Sequence, residues 1–121
     1  MGTTRDYSRN LRRKVQAVLT PDLLKPEWRA KWTPDNPLCG HCYAASEALY
    51  HLLGGKEAGW VPVYARHHWW LENRNTGAIL DPTAGQYKDK APPYKHGVRK
   101  GFLTKQPSRR AQIVIDRVSR L

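Results

Sequence analysis

Cys42-Tyr43-Ala44-Ala45-Ser46-Glu47-Ala48-Leu49-Tyr50-His51-Leu52-Leu53, closed by Gly54-Gly55, is the stretch whose reading decides the fold. It contains no Gly or Pro before the closing pair and is rich in helix formers. Its apolar residues Cys42, Ala45, Leu49, Leu52 and Leu53 recur at the spacing of one helical face, and the two glycines give a stop. Upstream, Pro34, Pro37 and Gly40 make a breaker-rich entry, so Cys42 falls in the first turn. There the unpaired backbone N–H groups and the positive end of the helix dipole stabilise a thiolate. The competing reading is that Cys42 is a small buried hydrophobe, the common fate of a free cysteine.

Working outward, Val61-Pro62-Val63-Tyr64-Ala65-Arg66-His67-His68-Trp69-Trp70-Leu71 is rich in β-branched and aromatic residues and reads as a strand. Asn73 to Gly77 is a turn cluster, and Ala78-Ile79-Leu80-Asp81 resumes an apolar run. A two-residue loop at Arg74-Asn75 would set His68 directly opposite Asp81, and Trp70 opposite Ile79. Opposed side chains have Cβ atoms about 4.5–5.5 Å apart, so a carboxylate there could reach the imidazole. Neighbouring strand residues face opposite sides, so His67 and His68 cannot both look toward Cys42. The pairing with Asp81 favours His68. The order Cys42, His68, Asp81 is that of a thiol nucleophile, its base and an orienting carboxylate.

These residues resemble the YunG-type family of small bacterial and phage proteins, related in plan to the papain and NlpC/P60 cysteine peptidases. The resemblance is carried by Gly40-His41-Cys42 with the helix behind it, Gly54-Gly55, His68-Trp69-Trp70, and Asp81-Pro82-Thr83-Ala84-Gly85-Gln86-Tyr87, across residues 38–87. His41 stands where the family pattern has Gln, and Leu71 where it has Asn. The resemblance implies Cys42 as nucleophile, His68 as base and Asp81 as orienter; His41, Trp70 and Gln86 are the expected substrate-binding residues. It also implies a papain-like core.

The 121 residues are enough for one domain with a single modest core, so residues 1–121 are expected to form one papain-like domain with basic N- and C-terminal flanks. No run approaches the ~20 apolar residues of a membrane span, and no apolar signal-peptide core is present. Two cysteines, Cys39 and Cys42, cannot make a disulfide framework, which suggests a reducing, cytoplasmic setting.

Charge is the second signal. The net charge is +11, with +5 on residues 1–32, −2 on 33–87 and +8 on 88–121. Basic flanks around a slightly acidic centre suggest a polyanionic partner, nucleic acid among the candidates, against the plainer reading of solvated helix faces. Tyr7 to Leu19 reads as an amphipathic helix with Leu11, Val15, Val18 and Leu19 on one face. Leu23 to Trp32 continues it with Trp28 and Trp32 a helical turn apart. Residues 82–107 read as a long irregular segment whose Tyr87, Tyr94 and Phe102 interleave with cations. Such a mixture can stack on bases or simply anchor a loop. Ser108 to Leu121 has Ala111, Val114, Val118 and Leu121 at helical spacing behind a possible Ser108 cap, while Ile113 and Ile115 keep a strand reading open.

A rival reading uses the same residues. Cys39-Gly40-His41-Cys42 is a C-x-x-C, and two of His41, His67, His68 and His96 could complete a tetrahedral zinc site in a basic nucleic-acid-binding module. A catalytically inactive papain-like binding protein is a third. The favoured expectation is an α+β domain in which the Cys42 helix packs on a short antiparallel sheet. It would act as a cysteine-dependent hydrolase or acyltransferase on a protein, amide or ester substrate, with no cofactor and no metal.

Overall fold

The computed structural model describes residues 4–121, with side chains from Tyr7 onward. Helix α1 spans Thr4–Ala17. Its Leu11 and Val15 are buried, as are Val18 and Leu19 just beyond its end, while Arg9, Arg13 and Lys14 face water. An apolar stripe docks and the cations stay solvated, as the periodicity predicts. The Leu23–Trp32 stretch is not one helix. Pro21–Leu23 is a 3-10 turn and Pro26–Arg29 a single-turn helix, α2, which starts at Pro26 because proline has no N–H to continue a preceding helix.

Helix α3 is Cys42–Leu52, with His41 at its N-cap, so Cys42 is its first residue. Ala45, Ala48 and Leu49 are fully buried among Leu11 and Val15 of α1, Leu71 of the sheet, and Ala111, Val114 and Val118. The last three belong to α4, Arg109–Ser119, whose N-cap Ser108 accepts a hydrogen bond from the Ala111 N–H at 3.3 Å. The cap and the buried i, i+3, i+7 stripe decide for helix at Ile113 and Ile115, which are half-buried on its flanks.

The sheet is antiparallel, with β1 Trp60–Ala65, β2 His68–Asn73, β3 Ile79–Leu80 and β4 Val98–Arg99 in the order β3-β2-β1-β4. The molecule is therefore a small α+β protein. Two sequence expectations are corrected here. The run from Val61 to Leu71 is a hairpin, not one strand: the chain reverses at Arg66 and His67, with φ of +50° and +65°. Two successive left-handed residues match the twist of the flanking strands. No glycine marks the turn, and a Tyr64 hydroxyl that accepts the His67 N–H at 3.2 Å helps to hold it.

The second correction concerns register. Leu71 pairs with Leu80 and Glu72 with Ile79, so the expected opposition of His68 to Asp81 is two residues out. The loop is longer than two residues, closed by Asn73 N–H to the Ala78 carbonyl at 2.9 Å and Gly77 N–H to the Asn73 carbonyl at 2.7 Å. A shift of two keeps every side chain on its face, whereas a shift of one would have reversed them all. His68 and Asp81 remain on the same face as diagonal neighbours.

Residues 82–107 are mostly irregular, as expected, but contribute 3-10 turns at Ala84–Tyr87 and Tyr94–His96 and the strand β4. Gly97 is where this segment crosses the sheet. A Cβ there would lie 2.6 Å from both the Trp70 ring and the Val63 side chain, so the approach requires glycine. The aromatics turn inward. Tyr94 packs on Trp70, Tyr87 meets the His68 ring edge-on, and Phe102 joins Tyr43, Tyr50 and Trp69. They anchor the segment to the core.

Candidate active site

Cys42 owes its position to the entry into α3. Gly40, at φ +85°, turns the chain into the helix under Trp28 and Leu24, where a Cβ would come within 3.0 and 3.1 Å of those side chains. The next residue, His41, is buried, and the half-buried Cys42 follows at the helix start. Its S–H donates to the His67 carbonyl at 3.7 Å, and its side chain lies near enough to influence the His68 ring.

His68 opens β2 with its ring buried between neighbours that fix its orientation. It stacks on Trp70 at 5.6 Å and meets the Tyr87 edge at 5.0 Å. Its Nε2–H donates to Asp81 Oδ2 at 2.6 Å, and the Gln86 side-chain amide contacts Nδ1 at 3.2 Å. Asp81 is itself held. The turn Asp81-Pro82-Thr83 brings the Thr83 N–H to Oδ1 at 3.0 Å, and the Tyr94 hydroxyl donates to Oδ2 at 2.8 Å. Gln86 also donates to Thr83 Oγ1 at 3.2 Å, closing the network from the histidine back to the carboxylate's turn.

The electrostatics follow from this packing. Burial opposes charge on His68, but the hydrogen bonds and negative charges of Asp81 and Cys42 outweigh it and raise the imidazole to about 9. Burial, followed by the Asp81 charge, pushes the Tyr94 hydroxyl far up, so it stays a donor. Burial and then the Arg110 charge hold His41 down to about 4, which keeps it neutral. A raised native pKa means that His68 stabilises the fold fully below its unfolded value near 6.5 and loses that contribution as pH rises through about 9. Stability measured by urea unfolding should therefore fall between those limits, and by less in His68→Gln. An NMR titration should also find that alkylating Cys42 lowers the His68 pKa, since one of the two raising charges is gone. An unchanged pKa would show that Cys42 does not act on the ring.

Beside Cys42 lies a cleft of about 350 Å³ bounded by Trp28, Tyr43, Tyr64, Trp69, His67 and Gln86 among others. Of the expected substrate-binding residues, Gln86 borders this cleft and His41 and Trp70 do not. Both are buried, with 1% and no exposure, so neither side chain reaches the cleft; Trp70 instead backs the His68 ring. Among the described residues no group of three or more His, Cys, Asp or Glu could hold a metal ion, so the C-x-x-C pair and the histidines do not converge. Sequence reading missed Thr83 and Tyr94. Thr83 could have been found from the Asp-x-Thr turn pattern. Tyr94 lies far from Asp81 in sequence, on an irregular segment, and nothing local signals its contact.

Fold and site together define a small α+β protein with a cysteine at a helix start facing a buried His–Asp pair on a sheet. No curated protein and no solved structure matches the chain. The family model for the YunG protein matches residues 8–120, and the chain belongs to that family.

Proposed function

We propose that this protein is a cysteine-dependent hydrolase or acyltransferase acting on an amide, ester or thioester, with Cys42, His68 and Asp81 as nucleophile, acid–base and orienter. The observation that carries this reading is the buried 2.6 Å contact between His68 Nε2 and Asp81, which leaves Nδ1 for the Cys42 side. A thiol at a helix start against a sheet bearing histidine and aspartate is also the plan of papain-like enzymes. On this reading the reactive form is the ion pair in which the Cys42 proton has passed from the His67 carbonyl to His68 Nδ1, giving thiolate and imidazolium. Sγ attacks the carbonyl carbon and the C=O electron pair moves onto oxygen, near the Cys42 N–H at the helix start. The tetrahedral adduct collapses, the bond to the leaving group breaks, and the leaving group takes the Nδ1 proton. Water or an acceptor nucleophile then attacks the thioester carbonyl and gives its proton to His68, and the C–S bond breaks, releasing the acyl product and restoring the pair. Asp81 stays ionised and holds the ring and its tautomer. The Gln86 amide contacts Nδ1 and borders the cleft, which suits it to orient the incoming acyl group.

The test is selective alkylation. Limiting iodoacetamide near pH 6, read by mass spectrometry, should modify Cys42 in preference to Cys39. Equal labelling, or preference for Cys39, would remove the basis of the proposal.

A second reading, compatible with the first, has a specific observation behind it. A separate cavity of about 950 Å³ is lined by Lys56, Arg74, Arg99, Lys100 and Lys105, with Glu57 as its acidic member. It favours the polyanionic partner, such as nucleic acid, that the charge distribution suggests. Binding to single-stranded DNA should weaken steeply between about 50 and 200 mM salt. No binding at the lower salt would assign the charge to solubility.

A further inference from the structure

We propose that the cleft beside Cys42 selects acyl donors that carry a negative charge close to the scissile carbonyl, acidic peptides above all, and that Lys25 and Arg110 are the residues that read that charge. This rests on the thiol reading above and names its substrate class. Both cations border the same cleft as Cys42, and among the described residues no Asp or Glu does. Among the described residues the ion pairs are His68–Asp81 and Arg117–Asp22, so neither cleft cation is answered by a carboxylate in a salt bridge.

Their settings differ in a useful way. Lys25 is exposed at the N-cap of α2. Arg110 is half-buried in the first turn of α4, and its guanidinium donates to the Leu23 carbonyl at 3.4 Å, which tethers it near the cleft. Its field already reaches inward, since its charge contributes to holding the His41 imidazole neutral. Glu47 is engaged by Ser108 at the start of α4, and Asp22, whose charge opposes that of Arg110 at His41, is paired with Arg117. The walls are aromatic: Trp28, Tyr43, Tyr64 and Trp69. Apolar walls lower the local dielectric and strengthen each cation's pull on an anion inside. The start of α3 adds a partial positive charge on the same side. A peptide fits this site better than nucleic acid, because a thiolate needs an acyl carbon and a phosphodiester has none.

The experiment compares two reagents of equal size that differ in charge. Iodoacetate and iodoacetamide both transfer a two-carbon unit to Sγ with loss of iodide, and the first places a carboxylate next to the new bond. Rates at Cys42 are measured at pH 7 and low salt for the parent, Lys25→Glu and Arg110→Gln, with glutathione as the unstructured thiol. The parent should prefer iodoacetate more than glutathione does. That preference ratio should fall roughly 3- to 10-fold in each variant, and largely vanish for the parent near 1 M salt, where the screening length is about 3 Å. Lys25 is exposed, so Lys25→Glu keeps the test open if Arg110→Gln fails to fold. If the parent ratio is high but unchanged in the folded variants, the imidazolium alone attracts the anion and the assignment to Lys25 and Arg110 fails. If neither reagent modifies Cys42, the thiol reading itself fails and the proposal falls with it.

Discussion

Replacing His68 by Ala is expected to slow alkylation of Cys42, and any hydrolysis the protein performs, by roughly 10²- to 10⁴-fold, the range for losing a positioned acid–base group. On the proposed mechanism, a variant without the imidazole has no charge partner for the thiolate and no proton donor for the leaving group. His67→Ala should cost far less. Its side chain borders the cleft from the Arg66-His67 turn and makes no contact with Asp81, although its backbone carbonyl takes the thiol hydrogen bond. Asp81→Asn separates orientation from charge. The amide can still occupy the space but no longer fixes Nε2 as the protonated nitrogen, so most of the rate should be lost with the fold retained. Tyr94→Phe removes one donor from Asp81 Oδ2 and should fall between the parent and Asp81→Asn. Equal rates for His68→Ala and His67→Ala, with both proteins folded, would mean that the buried His–Asp pair is structural.

Glu47→Ala is expected to destabilise the fold by about 3 kcal/mol, read as a lower urea midpoint at unchanged slope. Glu47 is fully buried on α3, yet it faces the start of α4, where it accepts the Ser108 N–H at 3.0 Å and the Ser108 hydroxyl at 2.6 Å. A carboxylate there satisfies backbone groups that the helix cannot, and lies favourably at the positive end of the dipole. Removing it leaves buried donors without a partner and opens a void at the α3–α4 contact. Glu47→Gln keeps an acceptor and the volume but loses the charge, so it should recover part of the loss. A change below about 1 kcal/mol for Glu47→Ala would show that water replaces the carboxylate at low cost.

Local sequence determined a good deal. The Cys42 helix was legible from composition, spacing and its two flanking breakers, and α1 and α4 from their apolar stripes, because helical periodicity is written into consecutive residues. Asp81 and His68 could be matched because they fall on the same face in any register of the same parity. The basic flanks and the slightly acidic centre needed no structure at all.

The tertiary structure decided what no local signal carries. The Arg66-His67 reversal has no glycine, and it is imposed by the pairing of β1 with β2 along their length. The fates of His41 and Trp70 are burial facts: a histidine before Cys42 and a tryptophan beside a histidine look available in sequence, but packing claims both. Tyr94 reaches Asp81 because Gly97 lets its segment press against Trp70, an approach set by shape between distant residues. Lys25 and Arg110 share a cleft with Cys42 although the chain separates them widely. Helix and parity depend on neighbours along the chain and are fixed by the sequence itself, whereas burial, diagonal contacts and the field inside a cleft depend on which distant surfaces meet.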